Sequence, residues 1–304
     1  MLVIRKAQME AFEKIAVRRF EDGLLDHLRT FFPNHAATLG DQQLGRVIRY
    51  GLQRAESRKV QTERGVYQYL ALMFMLGSLF DEDPQLPWAA ALEPVTPPPA
   101  NAAEPAESAP AAEDGADQAP PAEEIPESPD AHIERVYGEA MAFLDQTAGP
   151  DNGFLHQTLN LLRQPQVFDG LPTAPSFGHR LLLLLQSLAP AKYQALGEEP
   201  VRALVRSGYE AAKRHGFTTE PGMMNYIALA YVLGSGFDRD PVYPWAAATL
   251  SDPALINPAQ RSAALRETAL AHLAKCPPGC PQRAEQSAAV LEKADQPWLR
   301  IVEG

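Results

Sequence analysis

The chain has 304 residues, of which 45% are hydrophobic and 21% charged, a composition typical of globular proteins with room for two domains. Its two cysteines are too few for a disulfide scaffold, and no apolar run approaches the roughly 18 residues that a membrane span needs. Residues 94–130 hold nine of the 38 acidic residues and none of the 27 Lys and Arg, so the rest of the chain is nearly neutral and offers no general basic field to attract nucleic acid. An amino terminus without a long apolar core predicts a cytoplasmic location without membrane insertion.

The first predicted unit, residues 1–93, consists of helices. A helix over about 7–32 comes first, because its apolar residues recur at helical spacing. A second helix follows, in which Leu44, Val47 and Ile48 share one face with Gly51. We expect this glycine to allow a close helix–helix approach. The third helix begins after Thr62, a residue suited to capping a helix N-terminus.

The third helix is followed by the most specific motif, Phe-Asp-x-Asp-Pro-x-x-Pro-Trp. Aspartate and proline favour a turn after the helix, and an aspartate there can accept hydrogen bonds from backbone amides. We expect the aromatic rings to fasten this turn to the bundle. The motif occurs twice and is predicted to be structural or partner-binding; its residues are Phe80, Asp81, Asp83, Pro84, Pro87, Trp88, Phe237, Asp238, Asp240, Pro241, Pro244 and Trp245.

Residues 94–130 are predicted to be a disordered acidic linker rich in Pro, Ala and Glu. They include ten prolines and nine Asp or Glu, but no Lys or Arg. Such a segment buries too little apolar surface to offset the entropy lost on folding. A docking strip for a basic partner is the alternative, which composition alone disfavours.

The second unit, residues 131–304, contains a second copy of the module. Residues 39–92 align without a gap to residues 196–249, with 23 of 54 positions identical. Extra helices are predicted at 133–145 and 155–162 before the copy, and at 259–274 and 284–294 after it. The expected fold class is therefore all-α, with two tandem related helical bundles that unfold independently.

Two groups of side chains also allow a metal interpretation. Asp81 with Asp83, and likewise Asp238 with Asp240, offer oxygen ligands, but two acids are fewer than a calcium loop supplies. We therefore favour a structural role for the aspartates and expect no metal or other cofactor.

A second metal interpretation concerns His272, Cys276 and Cys280. Their spacing is compatible with zinc ligation, with a reversible disulfide, or with an inert helix end followed by a turn. We favour the inert interpretation, because a fourth ligand is not apparent in the sequence and cytosolic thiols are usually reduced.

The first unit carries a series of short motifs, which are, in chain order, Val3-Ile4-Arg5-Lys6-x-Gln8-Met9-x-x-Phe12, Phe20-Glu21-Asp22, His27-Leu28-Arg29-x-x-Phe32-Pro33, Leu39-Gly40 and Phe80-Asp81-x-Asp83-Pro84-x-x-Pro87-Trp88-Ala89. In these motifs it resembles small helical proteins encoded beside bacterial type VI secretion spike and effector genes. The resemblance covers nearly all of residues 1–93, whereas the second copy matches from about 177 to 248 and lacks the opening motif. It implies an accessory or adaptor role in effector handling and supplies no catalytic residues.

The expected function is that of a non-catalytic adaptor or chaperone-like protein that binds a type VI secretion effector or spike component. An immunity protein that neutralises a cognate toxin in the cytoplasm is the first alternative. A metal-dependent enzyme or effector is the second. No nucleophile motif and no phosphate-binding loop supports catalysis, so we expect no enzymatic activity.

Overall fold

The computed structural model describes residues 6–90, 127–164, 166–169 and 174–276, in which α-helices are the main element and strands are absent. The predicted all-α class is confirmed. The helices are α1 (Lys6–Phe31), α2 (Pro33–Ser57), α3 (Glu63–Leu76), α4 (Pro129–Ala148), α5 (Gly153–Leu162), α6 (Gln166–Asp169), α7 (Phe177–Leu188), α8 (Pro190–Leu196), α9 (Glu198–Arg214), α10 (Glu220–Leu233), α11 (Pro244–Leu250) and α12 (Pro258–Leu273). None of the helices in these ranges is both long and apolar enough to cross a membrane.

The sequence repeat reappears in the backbone. α3 and α10 begin and end at aligned residues. α2 contains a kink at Gly40, whose φ is 69°, and the aligned Gly197, with a φ of 77°, separates α8 from α9. The second half of α1 aligns with α7. The two copies therefore share the order of their elements as well as their sequence.

A glycine lies where α2 packs on α3 in the first copy, and the aligned glycine lies where α9 packs on α10 in the second copy. A Cβ atom at Gly51 would lie 2.3 Å from Leu70 Cδ2, and one at Gly208 would lie 3.0 Å from Ile227 Cγ1. The close approach predicted at Gly51 is confirmed, and the aligned Gly208 makes the same kind of contact. Thr62 caps α3 as predicted by accepting a hydrogen bond from Gly65 N, whereas the side chain of the aligned Thr219 makes no capping bond.

The third helix of each copy is its central element. α3 packs between α2 and α4, and α10 packs between α9 and α12. Nearly every side chain of α3 and α10 is buried, so these helices are apolar around their whole circumference. Each copy is thus covered by a helix that follows it in the chain.

The helix that covers the first copy begins at Pro129, inside the segment that composition assigned to the linker. Ser128 Oγ caps it by accepting from Ala131 N at 3.2 Å. Asp130 accepts hydrogen bonds from Thr62 N at 3.0 Å and Thr62 Oγ1 at 2.6 Å, which fixes the start of α4 against α3. Composition alone missed these bonds, because Ser128 and Asp130 are polar residues at the end of the acidic stretch and Thr62 is distant from them in sequence.

The other predicted helices have mixed outcomes. Those at 7–32, 133–145, 155–162 and 259–274 are confirmed by α1, α4, α5 and α12. The predicted helix at 284–294 and most of the predicted linker, residues 94–126, lie outside the described residues.

Candidate functional site

Both copies of the repeated motif form the same turn. α3 ends before Gly77, whose φ is 99°, and a short 3₁₀ helix follows at Phe80–Glu82. α10 ends before Gly234, whose φ is 101°, and a 3₁₀ helix follows at Phe237–Arg239. The predicted turn after the helix is therefore present twice.

The second aspartate of each motif joins the two copies. Asp83 accepts a hydrogen bond from Ser235 N at 2.9 Å, and Asp240 accepts from Ser78 N at 2.6 Å and from Ser78 Oγ at 2.6 Å. Both carboxylates are buried, with 5% and 3% of the residue exposed. Since Ser78 and Ser235 are aligned residues, the two copies exchange equivalent backbone hydrogen bonds.

Each of these carboxylates also stabilises its own turn. Asp83 accepts from Gln85 N at 3.0 Å, and Asp240 accepts from Val242 N at 2.8 Å. The prediction that an aspartate of the motif bonds backbone amides is therefore confirmed. The exchange with the other copy was not predicted, because sequence alignment does not show which turns face each other.

Glycine allows the two turns to touch. A Cβ atom at Gly77 would lie 3.0 Å from the Leu233 carbonyl oxygen, and one at Gly234 would lie 2.9 Å from the Leu76 carbonyl oxygen. The backbones therefore approach within van der Waals contact at both ends. We call the segments Leu76–Ser78 and Leu233–Ser235, with Asp83 and Asp240, the reciprocal junction.

Further contacts across the junction differ between the copies. Gln43 Nε2 donates to the Pro241 carbonyl oxygen at 2.9 Å, and Gln85 Nε2 donates to the Ala230 carbonyl oxygen at 3.3 Å. Leu79 packs so closely onto Gly236 that a Cβ atom there would lie 2.4 Å from Leu79 Cδ1. These contacts extend one hydrophobic core across both copies.

The first aspartate of each motif has a different partner. Asp81 accepts hydrogen bonds from Arg54 and, at 2.7 Å, from Arg58 Nε. Asp238 is bonded to His215 Nε2 at 2.7 Å, and His215 is the residue aligned with Arg58. Burial alone would raise the pKa of Asp238, but the bond to His215 helps to hold it below its ordinary value.

The two aspartates of a motif therefore do not converge on one point. In each copy the first pairs with a basic side chain and the second accepts from backbone amides. Among the described residues, no group of candidate metal ligands includes them. This geometry agrees with the structural interpretation of the aspartates.

The rings of the motif pack as predicted against the bundle. Phe80 lies 5.0 Å from the ring of Tyr69, and Phe237 lies 5.1 Å from the aligned Tyr226. Trp88 contacts Phe143 of α4 at 5.7 Å between centroids. Of the remaining motif residues, Pro84 and Pro241 follow the second aspartate of each copy. Pro87 is the first residue of a 3₁₀ helix, and Pro244 is the first residue of α11. The ring of Trp245 packs on Phe237 and His272.

A separate cluster surrounds the predicted pair His272 and Cys276. The structure adds His35, from the start of α2, and the three potential ligand atoms all lie within 4.8 Å of one another. His35 was missed because it is distant in sequence and its aligned residue in the second copy is Lys192. Cys280, the third residue of the predicted cluster, lies outside the described residues.

Because three histidines are buried, we expect the protein to be less stable at acidic pH. Burial lowers the pKa of His27, His35 and His272 from 6.5 to about 4. The unfolded chain therefore takes up three protons that the folded chain excludes, and stability is lost as pH falls from about 6.5 to 4. Asp240 and Glu63 act in the opposite direction, since burial raises the pKa of both carboxyls, that of Asp240 to about 6, but they are two groups against three.

We expect the free energy of unfolding to fall by on the order of 5 kcal/mol between pH 7 and pH 4. Urea titrations at each pH, with a chelator present, measure this change. His27→Gln should reduce the slope of the unfolding free energy against pH by the amount that corresponds to about one bound proton. A stability that is flat or rises on acidification would show that the histidines are solvated.

Comparison with known proteins adds no further assignment. No known protein family matches the chain, and no curated protein or solved structure is significantly similar to it. The interpretation of the site therefore depends on its own geometry.

Proposed function

We propose that this protein is a non-catalytic adaptor that binds a type VI secretion effector or spike component in the cytoplasm before export. In this proposal two tandem helical modules, joined by a disordered linker, present one binding cleft. The observation that carries it is an apolar cleft, partly formed by both copies, with an exposed phenylalanine at one end. The resemblance of residues 1–93 to proteins encoded beside secretion genes indicates the class of partner.

The cleft consists of two adjoining hollows. The inner one is lined by Met75 and Leu76 of the first copy, Val232 and Leu233 of the second copy, and residues of α4 and α5. The outer one has a volume of about 290 Å³ and lies between α5 and α8. The hollows share four lining residues, Thr147, Thr158, Ala189 and Lys192, so we treat them as one feature, the Phe154 cleft.

The lining of the Phe154 cleft favours apolar side chains of a partner protein. Phe154, which lines the outer hollow, is 45% exposed. Most other lining residues are aliphatic or aromatic. Since exposed apolar surface beside a concave site is typical of protein recognition, a helix of the effector that projects apolar residues suits this cleft.

Lys192 gives the lining of the cleft a charged group. Its Nζ donates to the Tyr231 carbonyl oxygen and lies 4.9 Å from the centre of the Tyr231 ring. Burial lowers the pKa of this ammonium to about 8, while Asp83 acts to raise it. A buried ammonium with N–H groups to spare can donate a hydrogen bond to a carbonyl or carboxylate oxygen of the partner, which fixes the orientation of the bound segment.

The carboxylates of the repeated motif support a non-catalytic role. All four accept hydrogen bonds from the protein's own groups, and the reciprocal junction uses two of them to hold the copies together. General acid or base chemistry needs a group that can reach a substrate. We therefore interpret the motif as a structural element that holds the two copies together and so fixes the shape of the Phe154 cleft.

Copurification of the full chain with the effector encoded beside its gene tests this proposal. We expect the wild-type chain to retain the effector and Phe154→Asp to weaken retention at least about tenfold, since a buried contact is replaced by a charge. Ile256→Asp is the matched control, because Ile256 is apolar and 82% exposed but does not line the cleft.

Coexpression separates the adaptor from the immunity alternative. An adaptor is required for export of the effector and gives no protection against its toxicity, whereas an immunity protein protects the cell. If the full chain fails to retain either the effector or the spike protein, the adaptor proposal is wrong. If both Phe154→Asp and Ile256→Asp bind like the wild type, the cleft is not the binding site.

A further inference from the structure

We propose that His35, His272 and Cys276 form a zinc-binding site that ties the end of α12 to the start of α2. All three residues are buried, and their ligand atoms lie within 4.8 Å of one another. His272 and Cys276 are one helical turn apart at the end of α12, whereas His35 comes from the start of α2 and reaches them through the packing of the fold. This site is independent of the proposed adaptor function.

The cluster contains a polar atom that the protein does not satisfy. His272 Nε2 is buried and has no hydrogen-bond partner. The ring of His35 lies 6.3 Å from that of His272, between centroids. An unpartnered buried nitrogen destabilises a fold, and coordination of a metal ion removes that cost.

The chemistry of the three residues suits zinc. Two imidazole nitrogens and one thiolate sulfur are common ligands of tetrahedral Zn²⁺, at about 2.0–2.1 Å for nitrogen and about 2.3 Å for sulfur. Ligand atoms around such an ion are about 3.4–3.6 Å apart, so the separations of up to 4.8 Å must shorten by at most about 1.4 Å when the ion binds. A water molecule completes the fourth position.

Binding requires the thiolate, and the structure provides a partner for it. Cys276 Sγ donates to Thr38 Oγ1 at 3.2 Å. When zinc binds, the S–H bond breaks, the Zn–S bond forms and the proton passes to the solvent. The Thr38 hydroxyl can then turn and donate to the thiolate, which orients the ligand.

The equivalent position in the other copy shows that the fold does not require a histidine at residue 35. Lys192 aligns with His35, and each packs against an aligned ring, Tyr231 or Phe74. Lys192 lines the inner hollow of the Phe154 cleft, whereas His35 lies in the cluster with His272 and Cys276. The His and Cys residues therefore distinguish one of two equivalent positions, which a purely structural origin does not explain.

Zinc loading of the tag-free full chain tests the site. Zinc is added under reducing conditions, free metal is removed, and bound metal is measured by mass spectrometry. We expect about one zinc ion per chain and a Tm roughly 5–10 °C above that of chelator-treated protein. Cys276→Ser, His35→Gln and His272→Gln should each reduce bound zinc to background, whereas His27→Gln, which is equally buried but outside the cluster, should keep it.

A second measurement uses the wild-type chain alone, so it does not depend on whether a variant folds. Cobalt bound to the wild-type chain should give the intense absorption of a tetrahedral thiolate site, including a sulfur-to-metal charge-transfer band. A weak octahedral spectrum would overturn the proposal. Zinc at background in the wild-type chain, or full zinc in all three folded ligand variants, would overturn it as well.

Discussion

Replacement of Asp240 by alanine should lower the free energy of unfolding of the whole chain by about 3–5 kcal/mol. The carboxylate accepts hydrogen bonds from Ser78 N, Ser78 Oγ and Val242 N, all at 2.8 Å or less. Without it, three donors in the reciprocal junction are left without that acceptor, two of them in the first copy. Asp83→Ala should have a similar effect, because Asp83 accepts from Ser235 N and from both nitrogens of Gln85.

Urea unfolding, followed by circular dichroism, measures this loss. Asp41→Ala is the matched control: its side chain is 81% exposed and, within the part of the chain that the structure describes, pairs with Arg29. We expect a change below about 0.5 kcal/mol for this surface pair. If Asp240→Ala is as mild as Asp41→Ala, the junction contributes nothing to stability.

Gly234→Ala should destabilise the chain by about 3–5 kcal/mol for two reasons. The first is backbone strain, since Gly234 has φ 101° and ψ 147°, a conformation almost confined to glycine. The second is a contact across the junction, because the new Cβ would lie 2.9 Å from the Leu76 carbonyl oxygen. That oxygen belongs to the backbone at the end of α3 and cannot rotate away.

Gly197→Ala separates these two causes. Gly197 also has a positive φ, 77°, but a Cβ there would meet no atom within 4 Å. We therefore expect Gly197→Ala to lower the free energy of unfolding by about 1–3 kcal/mol through strain alone. Gly234→Ala should lower it by about 2 kcal/mol more. Equal losses in urea unfolding would show that the contact between the copies is not tight.

Much of the fold could be predicted from the sequence because it depends on local patterns. The apolar stripe around Gly51 predicted a helix with a close neighbour, and the structure places Leu70 against that glycine. Thr62 was predicted to cap α3 and does so. The turn formed by the repeated motif followed from its aspartates and prolines, whose conformational preferences act over a few residues.

The relation between the copies could not be predicted in the same way. An alignment shows that Ser78 and Ser235 are equivalent, but it does not show that each bonds the other copy's aspartate. Repetition was therefore interpreted as two separate modules, whereas the structure buries the two motifs against each other. The expectation of independent unfolding is accordingly replaced by one of a single cooperative unit.

The candidate metal site was missed in part for a similar reason. His272 and Cys276 were recognised because they are one helical turn apart, whereas His35 approaches them only through the packing of α12 against the first copy. No periodic pattern connects residues that distant. Asp130 is a comparable case, since its role becomes visible only beside Thr62.

The central claim is that the reciprocal junction makes the two copies unfold as one unit. The chain has three tryptophans, so two reporter variants are made that keep only Trp88 or only Trp245, with Trp298→Phe in both. Within each reporter variant, urea unfolding followed by tryptophan fluorescence and by circular dichroism should give the same midpoint, and Asp240→Ala should lower the midpoint of both reporters. Two different midpoints within one reporter variant, or a shift confined to the Trp245 reporter, would contradict the account.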